Sequence, residues 1–142
     1  MTLEIAETRD IALCRELRRV VFTLEQGVSE ADEVDDLDDQ AVHLLARWDG
    51  VPIGSARLLV LGNIGKVGRV CVLAEGRGKG VGAELIRASV RFLQGVPGVE
   101  KVKLGAQVHA LGFYEVLGFQ AVGAVYDDAG IAHRDMVLAL NP

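Results

Sequence analysis

The chain has 142 residues, 50% of them hydrophobic and 25% charged, with a formal net charge of −5. That is the balance of one globular domain spanning residues 1–142, large enough to bury roughly two-thirds of its unfolded surface without metals or disulfides. The acidity, with no basic cluster beyond Arg77 and Lys79, speaks against a nucleic-acid surface and for a cationic small molecule or basic peptide as partner.

Leu3 and Ile5 alternate with polar neighbours as a half-buried first strand does. The opening segment is too acidic, and its apolar run too short, for a signal peptide, and no stretch is long enough to span a membrane, so a cytoplasmic protein is expected. Thr8 or Asp10 can cap a helix whose apolar stripe is Ile11, Cys14, Leu17 and Val21, with Arg15, Arg18 and Arg19 on the exposed side and a break near Gly27. Cys14 and Cys71 read as apolar filling, with no disulfide framework or metal site implied.

From Glu30 to Asp39 seven of ten residues are acidic, and no glycine stands where a calcium loop requires one. Taken alone, this is a solvated acidic loop. The strands Ala41–Trp48 and Val51–Leu61 are joined by Asp49-Gly50, a strong hairpin signal. A turn at Gly62-Asn63 leads into a third strand, Ile64–Leu73, in which Gly65 and Gly68 mark a bulge or a close approach by another backbone or ligand.

The stretch that follows organises the rest. The apolar run Val70–Leu73 is followed by Arg77-Gly78-Lys79-Gly80-Val81-Gly82 and then, from Ala83, by a helical pattern with Val81, Leu85, Ser89 and Phe92 on one face. A glycine-rich turn feeding a helix N-terminus aims backbone amides and the helix dipole at an anion, most often a phosphate. A nucleotide-binding P-loop needs a hydroxyl after the lysine, and Gly80 and Val81 stand there instead. A dinucleotide fingerprint needs an acid at the end of the next strand, and Gln107 stands there.

After the helix come a strand from Val99 to Ala106, a short helix from His109 to Leu117 stopped by Gly118, and a closing hairpin of Phe119–Tyr126 and Ala132–Leu140 turned by residues 127–130. The order is that of an α+β fold, a mixed and mostly antiparallel sheet with flanking helices.

Arg77-x-x-Gly80-x-Gly82 after a strand resembles the pyrophosphate motif of the GNAT superfamily of acetyl-CoA-dependent N-acetyltransferases. Gln107-x-x-Ala110-x-x-x-Tyr114-Glu115-x-Leu117-Gly118-Phe119 is similar to that superfamily's second signature, with Gln107 where asparagine is common. The resemblance covers nearly the whole chain and implies the GNAT fold and direct acetyl transfer from acetyl-CoA, without a metal, to an amine of a small molecule or peptide. It also implies roles: Gly78, Gly80, Val81 and Gly82, with Arg77 and Lys79, on the pyrophosphate; Val70 pairing with the pantetheine arm; the Val72 amide on the oxyanion; Gln107 and Ala110 on the cofactor; Tyr114 as general acid.

Where many GNAT enzymes carry a basic glutamate, this chain has Lys66 and Arg69. The proton acceptor is then sought among Glu25, Glu33, Asp35, Asp38 and His43, with His109 and His133 ranking below them, or in water. A second resemblance lies in the front half: Arg18-x-x-Val21-Phe22, Glu33-x-Asp35-x-x-Asp38 and Gly54-x-x-Arg57-Leu58-Leu59 are similar to acyl-homoserine-lactone synthases, which share the fold. It implies that residues 18, 33, 35, 38 and 57 build an acceptor pocket or an ion-paired wall beside it. A lactone-synthase-like acyltransferase and a non-catalytic CoA-binding module are the alternatives, and exposed sheet edges are compatible with a homodimer.

Overall fold

The computed structural model describes residues 2–140; Met1, at the head of the N-terminal segment, and residues 141–142 lie outside it. Seven strands form one sheet in the order β1-β2-β3-β4-β5-β7-β6. They are β1 (Leu3–Thr8), β2 (Val42–Trp48), β3 (Val51–Leu61), β4 (Ile64–Val72), β5 (Lys101–Gln107), β6 (Gln120–Asp128) and β7 (Ile131–Ala139). The α-helices among the described residues are α1 (Ile11–Arg18), which continues into a π-helical stretch over Arg19–Glu25, α2 (Glu30–Glu33), α3 (Val81–Gln94) and α4 (Leu111–Val116). Every strand pair is antiparallel except β4 with β5.

The period-two alternation of the central strands sends their residues to two separate cores. Leu44, Ala46, Leu58, Val67, Val102, Leu104 and Met136 pack on one face with Val81, Leu85, Ile86 and Leu93 of α3. Leu45 and Cys71 pack on the other with Leu17 and Val21. The buried residues of α3 are Val81, Leu85, Ile86, Ser89 and Leu93, with Leu93 rather than Phe92 completing the stripe; the Ser89 hydroxyl donates to the Leu85 carbonyl at 2.7 Å. Helix and strand meet closely at Gly65, where a Cβ would lie 2.6 Å from Leu93.

Four further expectations are corrected. α3 begins at Val81, not Ala83, because Gly80 caps it from the left-handed region at φ 78°. Arg18 is buried, not exposed. The acidic segment is folded onto the molecule with Glu33 and Asp38 buried, because arginines from three elements neutralise it. The closing hairpin also turns more tightly than expected, through Ala129-Gly130 alone, with φ of 53° and 82°.

Candidate active site

β4 and β5 are hydrogen-bonded partners over only three registers, Ile64 with Lys101, Gly65 with Val102 and Lys66 with Lys103, after which they part. β5 meanwhile stays paired with β7 along its whole length. A wedge therefore opens in the middle of the sheet, with Val70 and Val72 on one lip and Gln107 on the other. β4 also bulges opposite Ala56, where Arg69 adopts φ 51°, a conformation rare for a residue with a side chain.

Past the bulge the backbone direction is readable. The Leu73 amide donates to the Ile53 carbonyl at 2.7 Å, toward β3. Because successive strand amides alternate sides, the N–H groups of Val72 and Val70 turn the other way, into the wedge. At its outer end the wedge meets the turn into α3. Gly78 and Gly80 sit at φ 77° and 78°, with nothing within 4 Å of where a Cβ would be, so the turn needs glycine for its conformation and its outer side is open. No side chain caps α3. Its first amides are free to bind an anion.

The two cations of the turn point elsewhere. Arg77 donates to the Val72 carbonyl at 3.1 Å and pairs with Glu25 at 2.7 Å. Lys79 donates to the Glu75 carbonyl at 2.8 Å and lies over the Trp48 ring. Glu25 is thus engaged at the rim. Gln107 bridges Gln26, to which it donates, and the His109 ring. Tyr114 stands edge-on to Phe113 and Phe119, and burial pushes its hydroxyl above the ordinary phenol range.

On the face of the sheet carrying α1 and α2, the wedge widens into a chamber of about 460 Å³. One wall is the folded acidic segment. Arg18 grips Asp38 through two hydrogen bonds of 3.0 and 2.6 Å; Arg15 adds one of 2.8 Å and Arg57 one of 3.2 Å. Burial opposes the charge on Asp38, but Arg18, Arg15 and Arg57 override it and hold the carboxyl well below the usual range. Asp35 is likewise held low, by Arg57 above all. Arg69 donates to the Glu33 carbonyl at 3.0 Å and to Asp35 at 3.3 Å. The Glu33 carboxylate lies 3.0 Å from Arg18 and 3.8 Å from Arg69. His43 sits behind this wall, its Nε2 against the Asp38 carbonyl at 2.9 Å.

The opposite wall comes from β5, β6 and β7. Tyr126 donates to Asp135 at 2.7 Å, and burial followed by that bond pushes the phenol up to about 12. Its hydroxyl lies over Gly105, where a Cβ would be 2.5 Å away. The Tyr126 ring stacks on His133 with centroids 6.0 Å apart. Lys103 lies 3.5 Å from Asp135.

Of the candidate site residues named from sequence, Val70, Glu33, Arg57, Gln107, Ala110, Tyr114 and His133 line one cavity, Arg18 and His43 stand behind its wall, and Val72, Glu25, Asp35 and the turn of residues 77–82 are not part of its lining. Lys103, Gly105, Tyr126 and Asp135 were not anticipated. Burial pushes the Cys71 thiol up to about 11, so it is filling rather than a nucleophile. No helix among the described residues is long and apolar enough to cross a membrane.

A parallel strand pair forced apart beside an uncapped helix N-terminus is the architecture of an acyl-CoA transferase. The comparisons agree. The family model described as an acetyltransferase (GNAT) domain matches residues 21–140. A candidate acetyltransferase of Bacillus subtilis is 35% identical over 133 residues, covering 92% of this chain and 90% of that protein. The protein ElaA of Escherichia coli is 33% identical over 125 residues, covering 85% of this chain and 82% of its own. Among solved structures, an acyl-CoA N-acyltransferase from Pseudomonas aeruginosa superposes with a TM-score of 0.87 at 29% identity, over 97% of this chain and 100% of that one. The chain belongs to the GNAT acetyltransferase family and is an acyltransferase.

Proposed function

We propose that the protein moves an acetyl group from acetyl-CoA directly to a primary amine of a small molecule or peptide, with donor and acceptor bound together. The observation that carries this reading is the continuity of three features: an uncapped α3 N-terminus, a wedge between β4 and β5, and a charged chamber at the wedge's inner end. The first suits a diphosphate, the second a pantetheine arm and thioester, the third an amine.

The residues take these roles. The amides of residues 78–82 hold the pyrophosphate, each contact contributing about 0.3–1 kcal/mol, so several act together. Arg77 and Lys79 add charge by exchanging their present partners for phosphate. Val70 pairs with the pantetheine arm as an added strand does, and Gln107 and Ala110 border the same path. The Val72 amide stabilises the oxygen that gains charge as the amine nitrogen attacks the thioester carbon. The C–N bond forms, the C–S bond breaks, and the departing sulfur takes a proton from the Tyr114 hydroxyl. A thiol has a reference pKa near ~8.5, so this proton helps without being indispensable. Glu33, Asp35 and Arg57, backed by Arg18 and His43, form the acceptor-side wall, and their ion pairs make it rigid.

The test is to mix the protein with acetyl-CoA and a panel of polyamines, aminoglycosides, amino acids and lysine peptides while following free thiol. Amine-dependent thiol release is expected. CoA binding without turnover on any amine would overturn the reading, and turnover with S-adenosylmethionine would move it to the lactone-synthase class.

A further inference from the structure

An alkyl ammonium must lose a proton before its nitrogen can attack, since a group with a pKa near ~10.4 is free amine in only about one molecule in two thousand at neutral pH. The carboxylates singled out from the sequence all lie against arginines; Asp32 and Asp128 also line the chamber and form no ion pair among the described residues, but neither carboxylate is fixed in orientation by a hydrogen bond as the His133 ring is. Glu25 pairs with Arg77 at the rim, Asp35 and Asp38 are held by two or three arginines each, and Glu33 lies between Arg18 and Arg69. His43 also has one ring nitrogen on a carbonyl, that of Asp38, and the other without a partner, but it is buried behind the wall and does not line the chamber.

His133 is arranged differently. It lines the chamber, and its Nδ1 lies 2.7 Å from the backbone carbonyl of Ile131. A carbonyl oxygen can only accept, so Nδ1 carries the hydrogen and the neutral ring presents Nε2 as a lone pair. No hydrogen bond to Nε2 is formed among the described residues. The ring is held in place by the stacked Tyr126, itself tied to Asp135.

Its height along the sheet is right as well. Lys66 and Lys103 are level, so Gln107, four residues beyond Lys103, is roughly level with Val70, four beyond Lys66 and past the bulge. His133 is the direct partner of Gln107 on the next strand. The imidazole therefore stands on the far side of the wedge, roughly level with Val70, in the chamber that Val70 also lines.

We propose that His133 is the general base of this enzyme. The inference rests on the transferase reading above and adds the missing proton acceptor to it. Of the two protons the ammonium nitrogen loses, one passes to Nε2, directly or through one water, and from there to solvent. The other replaces carbon on the departing sulfur by way of Tyr114. Besides Tyr114, the titratable and charged groups that share the space with His133 are Tyr126, which is neutral, and Asp128 on β6, Lys103 on β5, Asp135 on its own strand, and Asp32, Glu33, Arg57 and Arg69 on the facing wall, with Lys66 at the wedge's closed end.

The test uses His133→Asn, whose amide can still donate to the Ile131 carbonyl but cannot take a proton. With whichever amine the wild-type protein acetylates, kcat/KM at neutral pH should fall by roughly a hundredfold or more, the usual span of general-base effects. CoA affinity should not change, the acidic limb of the pH profile should disappear, and added imidazole should restore part of the rate in His133→Ala. Wild-type rates in His133→Asn, an unchanged acidic limb, or loss of CoA binding would each overturn the assignment. A second readout does not depend on the acceptor. In ¹⁵N-histidine spectra the resonance lost in His133→Asn should belong to a ring protonated at Nδ1 and bare at Nε2; the opposite tautomer would overturn the proposal. Absence of turnover on every amine would count against the transferase reading, while the spectra would still decide the geometry of His133.

Discussion

Arg18 and Asp38, twenty residues apart in sequence, face each other through two hydrogen bonds of 3.0 and 2.6 Å, with both side chains nearly sealed from solvent. The pair ties the helical N-terminal arm to the acidic segment, and Arg57 ties the same carboxylate to β3. Removing one partner of a buried pair leaves the other charged and uncompensated, which costs about 3–5 kcal/mol. Asp38→Ala should lose that much by chemical denaturation. The pH dependence has a definite sign. A carboxyl held below its unfolded value contributes stability that is fully present above about pH 4 and is lost as pH falls further, through the folded value. The stability gap between wild type and variant should therefore narrow in acid.

Gly80 sits at φ 78° at the head of α3, and the space beside it is open. Gly80→Val adds a Cβ that meets no protein atom, strains the backbone by about 1–3 kcal/mol and projects a side chain among the amides. CoA affinity measured by calorimetry should fall at least about tenfold, or ~1.4 kcal/mol. Unchanged affinity would take the pyrophosphate away from this turn.

Tyr114→Phe removes one hydroxyl from a ring packed edge-on to two others. The fold and CoA affinity should survive. The transfer rate should drop about ten- to a hundredfold, toward the lower end of general-acid effects because a thiolate leaves readily. Single-turnover rates equal to wild type would strip Tyr114 of its role.

Gly105→Ala tests the far wall. A methyl group there would come 2.5 Å from the Tyr126 hydroxyl, so the phenol must move and give up its bond to Asp135. Since Tyr126 is exposed, the stability loss should be only about 1 kcal/mol by denaturant titration. Activity should fall further than that, because the displaced ring is what steadies His133.

How much of this was legible in the sequence depended on whether a feature is local. The turn into α3 could be read because glycines at fixed spacing state a backbone conformation directly, and the stretch from Gln107 to Phe119 because it resembles a family signature. Asp49-Gly50 set its hairpin for the same reason, and the structure has both residues at positive φ. Arg18 was misjudged because a helix stripe predicts the exposed side only when nothing packs there, and the acidic segment that packs on it looked like a solvated loop. A run of acids becomes a wall only when arginines from α1, β3 and β4 converge on it, and that convergence is tertiary.

The far wall was hidden by register. A four-residue turn over 127–130 would pair Tyr126 with Ile131, whereas the observed two-residue turn pairs Tyr126 with His133. That two-residue difference moves His133 from opposite Ala124 to opposite Tyr126, on which it stacks. Gly130 was a partial signal, whereas alanine at 129 gives no sign in sequence of the left-handed conformation it adopts.

The most direct measurement is a crystal structure of the protein with acetyl-CoA. The account predicts the diphosphate within hydrogen-bonding distance of the amides between Gly78 and Gly82, and the thioester carbonyl on the Val72 N–H with its carbon facing the chamber. A wedge left empty, or filled by the protein's own side chains while CoA binds elsewhere, would contradict it.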